Sequence, residues 1–262
     1  MAYGSTTLTP EMSVDATEWE GATPYEEIPG PKPLPILGNA HRFIPGIGMM
    51  GCGDLLEQHS KLYHKYGKIV KLSGIPGWND MVLLFDPMHF EEVYRKEGGL
   101  PIRDFLHSVT YFRKVTRKDF FEGVGGLLTE NGEGWREFRS KVNPPMMQHR
   151  LTKTYFQPIL DVTNEFIARV RSLRDANDEM PEDFSNELFK WSLESITMVA
   201  LDKRLGCLEP NLRPDSEPQL MINAVNELFK CWEIMDLKPS IWKVISTPTW
   251  IRFVKLMDFF TE

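Results

Sequence analysis

Apolar residues recur at helical spacing through most of the chain. Between Leu151 and Arg174 they fall at Phe156, Ile159, Leu160, Phe166, Ile167, Val170 and Leu173. Polar residues fill the other side, which predicts an amphipathic helix with one face on a core. A second helix is predicted from Phe184 to Leu205, with Asp183 as cap and Gly206 as stop. A third runs from Glu217 to Met235, and a fourth starts at Thr247-Pro248, with proline at the first helical position. Nearer the start, Asp54 caps a predicted helix that Gly67 ends, and Asp86-Pro87 opens another through Lys96. Two short apolar runs, Lys68 to Leu72 and Met81 to Phe85, flank the turn-forming stretch Ser73 to Asp80. They predict one β-hairpin. Prolines at 29, 31, 33 and 35 exclude a helix or a central strand and predict a stiff, extended lead-in. The expectation is a mainly α fold with a small β-hairpin. The last helix carries Phe259 and Phe260 to the end of the chain. A globular protein rarely ends on such a face, so the sequence reads as truncated.

Composition narrows the class. The 262 residues include 42% hydrophobic and 11% aromatic side chains, enough to build a core. The net charge of −7 speaks against nucleic acid as a partner. Six of the 37 carboxylates lie in residues 1–28, which hold no Lys or Arg. That segment is expected to be disordered. The cysteines, Cys52, Cys207 and Cys231, are odd in number and widely spaced. They suggest neither a disulfide framework nor a zinc site, and reduced thiols are expected. No apolar run approaches membrane-spanning length, and no signal or transit peptide is visible in these residues.

The chemistry concentrates in Gly132-Glu133-Gly134-Trp135-Arg136-Glu137-Phe138-Arg139. This stretch begins a helix expected to end near Asn143-Pro144-Pro145. Trp135 and Arg139 are four residues apart and share a helical face. An indole N–H beside a guanidinium fork offers donors and no acceptor. Such a pair suits a buried carboxylate, although a stacked structural pair is the commoner use of a Trp and an Arg at this spacing. Other motifs are weaker. Gly46-Ile47-Gly48-Met49-Met50-Gly51 has dinucleotide-binding spacing, but no buried strand precedes it. His59 and His64 are five apart and do not share a face for a metal. The basic aromatic run Tyr111 to Lys118 is too short and isolated for a nucleic-acid surface. Ile241-Trp242-Lys243-Val244-Ile245 with Trp250-Ile251-Arg252-Phe253 suits either a membrane–water boundary or an internal packing corner.

Taken in order, these motifs resemble the N-terminal half of a cytochrome P450, a heme-thiolate monooxygenase. The resemblance spans about residues 24–262. Pro29-Gly30-Pro31 through Gly38-Asn39 is similar to the family's proline-rich hinge. Tyr66 to Leu72 resembles its first helix running into its first hairpin, and Leu127 to Arg139 its third major helix. Tyr25 to Pro31, Pro101-Ile102-Arg103, Asn186 to Ile196 and Ala200 to Leu208 resemble the mitochondrial class, with an animal and arthropod flavour. The resemblance implies that Trp135 and Arg139 bind a heme propionate. It implies an apolar small-molecule substrate, oxygen insertion from O2, a ferredoxin-type electron donor and a mitochondrial, inner-membrane-associated location with peripheral membrane contact. It matches residues Arg103 to Phe121 and Phe229 to Trp242 to substrate-contact regions. The family's axial-Cys segment F-x-x-G-x-R-x-C-x-G and its acid–Thr pair do not occur here. The expected organisation is an acidic, disordered segment, residues 1–28, and a partial P450 domain, residues 29–262, whose heme-thiolate half is absent. No catalytic residue or metal ligand is assigned, and the chain alone is expected to be inactive. A non-catalytic helical interaction module derived from such an enzyme is the alternative, and a nucleotide enzyme resting on the glycine pattern a more distant one.

Overall fold

The computed structural model describes residues 20–51, 53–75, 78–210 and 212–261. The chain divides into two compact units, Met1–Arg95 and Lys96–Glu262. Of the segment 1–28 expected to be disordered, residues 1–19 lie outside the described residues, as does any role of Cys52.

In the first unit, α1 (Leu55–Tyr66) starts where Asp54 Oδ1 accepts the Glu57 N–H at 2.8 Å. It stops at Gly67, whose φ of 96° suits only glycine. Strands β1 (Ile69–Leu72) and β2 (Met81–Leu84) pair antiparallel, with Ile69 opposite Leu84 and Leu72 opposite Met81. Leu62, Val70, Leu72, Ile75 and Met50 are buried together between the helix and the hairpin. Helix α2 (Pro87–Lys96) begins where Asp86 accepts the Met88 N–H at 3.0 Å. The lead-in is not extended throughout. Leu34 and Gly38 exchange backbone hydrogen bonds around a tight turn. Buried Asn39 then ties that turn to Pro31 and Ser73 carbonyls at 3.0 and 2.7 Å. A Cβ on Gly38 would stand 1.3 Å from the Gly74 carbonyl oxygen, so this close approach requires glycine. The turn Tyr25–Glu27 is held by Lys71 Nζ, which donates to the Tyr25 carbonyl at 2.8 Å.

The second unit is helical. Short α3 (His107–Tyr111) runs into a π-helical turn, Phe112–Thr116, and then α4 (Lys118–Phe121). Five longer helices follow: α5 (Gly132–Met147), α6 (His149–Leu173), α7 (Phe184–Leu201), α8 (Glu217–Met235) and α9 (Pro248–Phe259). Consecutive members of this series pack on one another from α5 to α9. Leu106, Val109, Phe112, Leu228, Cys231, Met235, Trp242 and Phe253 form its apolar core. Two boundaries differ from expectation. Helix α5 passes through Pro144 and Pro145 and ends at Met147. Both prolines are exposed and fall in the last turn. The carbonyls they leave without a helical donor therefore meet water. Helix α7 ends at Leu201, short of Leu205. Asp202 takes the left-handed conformation (φ 52°) and donates its N–H to the Thr197 carbonyl, which closes the helix early.

Between α6 and α7 lies a buried ionic network. Glu187 accepts from Arg169 in a two-pronged contact, one arm at 3.0 Å, and from Lys190 at 2.6 Å. Glu194, fully buried, accepts from Arg204 at 2.5 Å and from the Cys207 N–H at 2.8 Å. Desolvation, the largest single effect on each carboxyl, would raise it. The surrounding donors outweigh it and hold both below the usual carboxylate range.

Candidate functional site

Helix α5 begins after Asn131, whose extended backbone turns into it (φ −128°, ψ 163°). The Asn131 side chain caps nothing in its own helix. It reaches across the chain instead, accepting the Arg103 N–H at 2.7 Å and donating to the Arg103 carbonyl at 3.2 Å. This two-point clamp fixes Arg103 beside the first turn of α5. The Arg103 guanidinium then lies over the Trp135 ring, 5.3 Å from its centroid.

The polar edges of this stack are bare. Trp135 Nε1 and Arg103 Nε and Nη2 are buried and have no hydrogen-bond partner among the described residues. Each unsatisfied buried donor costs about 1–3 kcal/mol. Arg139, half-buried one turn along from Trp135, forms no ion pair among the described residues. A cavity of about 300 Å³ adjoins Arg103, lined also by His107, Lys114, Thr129, Glu130 and Asn131. Glu130 accepts from Lys114 Nζ at 2.8 Å and from the Gly125 N–H at 2.6 Å. Desolvation would raise this carboxyl most, but those two donors hold it down, so it stays ionised and paired with Lys114. The Arg103–Trp135 donors remain open. Planar N–H groups without acceptors fit an acidic group carried on an apolar body, and a heme propionate is one.

The structure brings Arg103 to Trp135, which sequence spacing did not reveal. The two are far apart in the chain, and the Asn131 clamp that joins them has no local signature. The weaker motifs resolve into structure. The Gly46–Gly51 loop follows a 3-10 turn (Ala40–Phe43), not a strand. Cβ atoms on Gly48 and Gly51 would stand 2.0 Å from the Arg42 and Ile44 carbonyl oxygens, so these glycines serve the loop's own tight path. His59 packs edge-on against Phe85, while His64 Nδ1 meets the Ser60 carbonyl at 2.8 Å. Within Tyr111 to Lys118, Arg113 stacks on Phe121, Lys114 pairs with Glu130, and Arg117 pairs with Asp258. Burial, aided by Glu194, pushes the Cys207 thiol up to about 12. Burial likewise raises Cys231. Both stay thiols at neutral pH, unsuited to ligate as thiolates.

For Trp242 and Trp250 the packing-corner reading holds. Their rings stack at 4.8 Å, and Trp242 Nε1 donates to the Met235 carbonyl at 3.1 Å. The aliphatic residues beside Trp242 face solvent: Ile241, Val244 and Ile245 are exposed, Val244 to 85%. Among the described residues no helix is long and apolar enough to cross a membrane.

A family model for cytochrome P450 matches residues 28–262. The chain belongs to the cytochrome P450 family. Its similarity is strong to insect members. It is 46% identical to the probable cytochrome P450 301a1, mitochondrial, of Drosophila melanogaster, over 93% of this chain and 44% of that protein. It is 37% identical to cytochrome P450 CYP12A2 of Musca domestica, over 96% of this chain and 46% of that protein. It is 35% identical to cytochrome P450 12b1, mitochondrial, of Drosophila acanthoptera, over 94% of this chain and 45% of that protein. The chain thus spans less than half the length of these P450 relatives. The helical fold with one two-stranded antiparallel sheet agrees with the N-terminal part of the P450 fold.

Proposed function

We propose that Arg103, Trp135 and Arg139 together hold a propionate of heme in a mitochondrial-class monooxygenase. The observation that carries this reading is the set of three buried N–H groups, Trp135 Nε1 and Arg103 Nε and Nη2, with no acceptor. When bound, the heme supplies the iron chemistry that puts one oxygen atom of O2 into an apolar substrate. The chain's own part is binding and orientation. Arg103 and Arg139 offset the acid's charge, Trp135 donates from an apolar body, and Asn131 keeps Arg103 in register. The mitochondrial names of the P450 relatives favour a mitochondrial location and a ferredoxin as electron donor. Exposed Ile241, Val244 and Ile245 beside Lys243 favour peripheral contact with a membrane. The axial-Cys segment is missing from residues 1–262, so these residues alone are read as binding heme without turning substrate over.

Heme titration tests the reading. The chain should take up heme with quenching of Trp fluorescence, and Arg103→Ala and Trp135→Phe should each weaken uptake at least tenfold. Unchanged affinity in both variants removes the site. Thiolate-type absorbance with carbon monoxide in the chain alone would overturn the inactivity. Vesicles of anionic lipid should retain the protein, and Val244→Asp with Ile245→Asp should release it; equal retention refutes the membrane contact.

A further inference from the structure

Asn131-Gly132 is the only Asn-Gly pair in the chain. Asparagine is thermolabile among side chains, and a glycine after it puts no Cβ in the way of attack by the next backbone nitrogen. The pair stands at the entry to α5, and Asn131 is exposed to water. The Gly132 N–H is the first of the helix and has no acceptor within it. A Cβ at Gly132 would meet no atom within 4 Å outside its neighbours and its own helix, so no other element crowds this turn. Against this stands the clamp. The Asn131 amide accepts the Arg103 N–H at 2.7 Å and donates to the Arg103 carbonyl at 3.2 Å. The Asn131 backbone is extended, with ψ 163°. A five-membered ring between this side chain and the next nitrogen closes only when the backbone leaves that setting and the amide lets go of Arg103.

We infer that Asn131 is a site of spontaneous deamidation gated by its own clamp on Arg103, and that conversion disarms the clamp. The Gly132 nitrogen attacks Asn131 Cγ. A C–N bond forms, the Cγ–Nδ2 bond breaks, and Nδ2 leaves as ammonia with the proton given up by Gly132. Water then opens the cyclic imide to aspartate or, by cleavage at the other carbonyl, to isoaspartate. No electron is exchanged, and water is the only co-reactant.

The product cannot make the same clamp. Ionised aspartate accepts and does not donate. An oxygen therefore replaces Nδ2 opposite the Arg103 carbonyl, and two acceptors face each other. In isoaspartate the main chain gains a carbon at the entry to α5, which shifts the clamp's anchor. The fold outlasts the change to aspartate, because a negative charge at the first turn of a helix is favourable. The loss is local to Arg103. On the reading that Arg103 and Trp135 hold an acid of heme, on which this step rests, the new carboxylate lines the cavity beside Arg103 and repels that acid. The change is one-way, since ammonia is lost to solvent.

Peptide mass mapping of the heme-free chain, aged in weakly alkaline buffer, decides the matter. Asn131 should convert faster than any other asparagine, with isoaspartate among the products, yet at least tenfold slower than in the same chain unfolded in urea. Arg103→Pro removes the clamped N–H and should bring the folded rate within threefold of the urea rate. Arg103→Ala keeps that N–H and should stay within threefold of the parent. An intact Asn131 while other asparagines convert, or equal rates folded and unfolded, overturns the inference. Should Arg103→Pro fail to fold, hydrogen exchange at the Arg103 amide of the parent takes its place. Across urea too dilute to unfold the chain, that exchange and the conversion should quicken together; conversion that stays flat overturns the gate. Asn131→Asp should weaken heme uptake at least threefold, and unchanged uptake overturns the disarming. A parent that converts at Asn131 yet takes up no heme refutes the heme reading and leaves the deamidation site standing.

Discussion

Arg169 and Arg204 direct their guanidinium groups onto Glu187, Glu194 and Glu165, and every one of those contacts is charged and short. Arg103, in the same unit, lies over the Trp135 ring with two buried N–H groups facing no acceptor among the described residues. The first arrangement is complete within the chain. It locks α6 to α7 and leaves nothing for a ligand. The second is costly as it stands, and a carboxylate from outside would relieve it. Burial and charge alone do not distinguish these clusters, since both hold half-buried or buried arginines. Whether the donors find acceptors does.

The sharpest test of the closed cluster is Glu194→Ala. It leaves Arg204 Nε and the Cys207 N–H without their acceptor, and should cost about 3–5 kcal/mol in urea unfolding. A loss below about 1 kcal/mol would show that the network is incidental. For the open cluster, Arg139→Ala should weaken heme retention by roughly 2–5 kcal/mol, read by titration; full retention would separate Arg139 from the site. Acid separates the two regions further. Glu187 and Glu194 are held below the unfolded value, so their contribution is present above a pH of about 4.3. It is lost as pH falls through their depressed values. The urea midpoint should fall over that window, and Glu194→Gln should flatten the fall; an identical acid profile would contradict the pairing. The smallest effect is the most telling. In the chain without heme, Arg103→Met removes two unsatisfied donors and keeps an apolar body on Trp135. Stability should rise by about 1 kcal/mol, the relief of those donors less the lost cation–π contact. A loss above about 2 kcal/mol would make Arg103 structural.

Much of this fold is legible in the sequence because helices announce themselves locally. Asp54, Asp86 and Thr247 accept N–H groups at the helix starts where their position before apolar periodicity places them. That Trp135 and Arg139 share a face of α5 is legible because about four residues make one helical turn. Arg103 is not, for its link to Trp135 passes through the Asn131 amide and no periodicity encodes it. The Ser108 N–H and hydroxyl both reach Asp236 across 128 residues, and no local pattern marks that contact either. Pro144 and Pro145 mislead because proline's penalty falls away in an exposed final turn. The Trp242 stretch leaves two readings open in the sequence because an indole beside lysine reads alike at a membrane boundary and over a helix end.

The Asn131 amide closes the chain on itself at Arg103, across 28 residues, with two hydrogen bonds at the base of the excursion. The entropy of closure grows only with the logarithm of that excursion's length, so added residues at its exposed positions cost little, while Leu106, Val109 and Phe112 keep its middle fastened to the core.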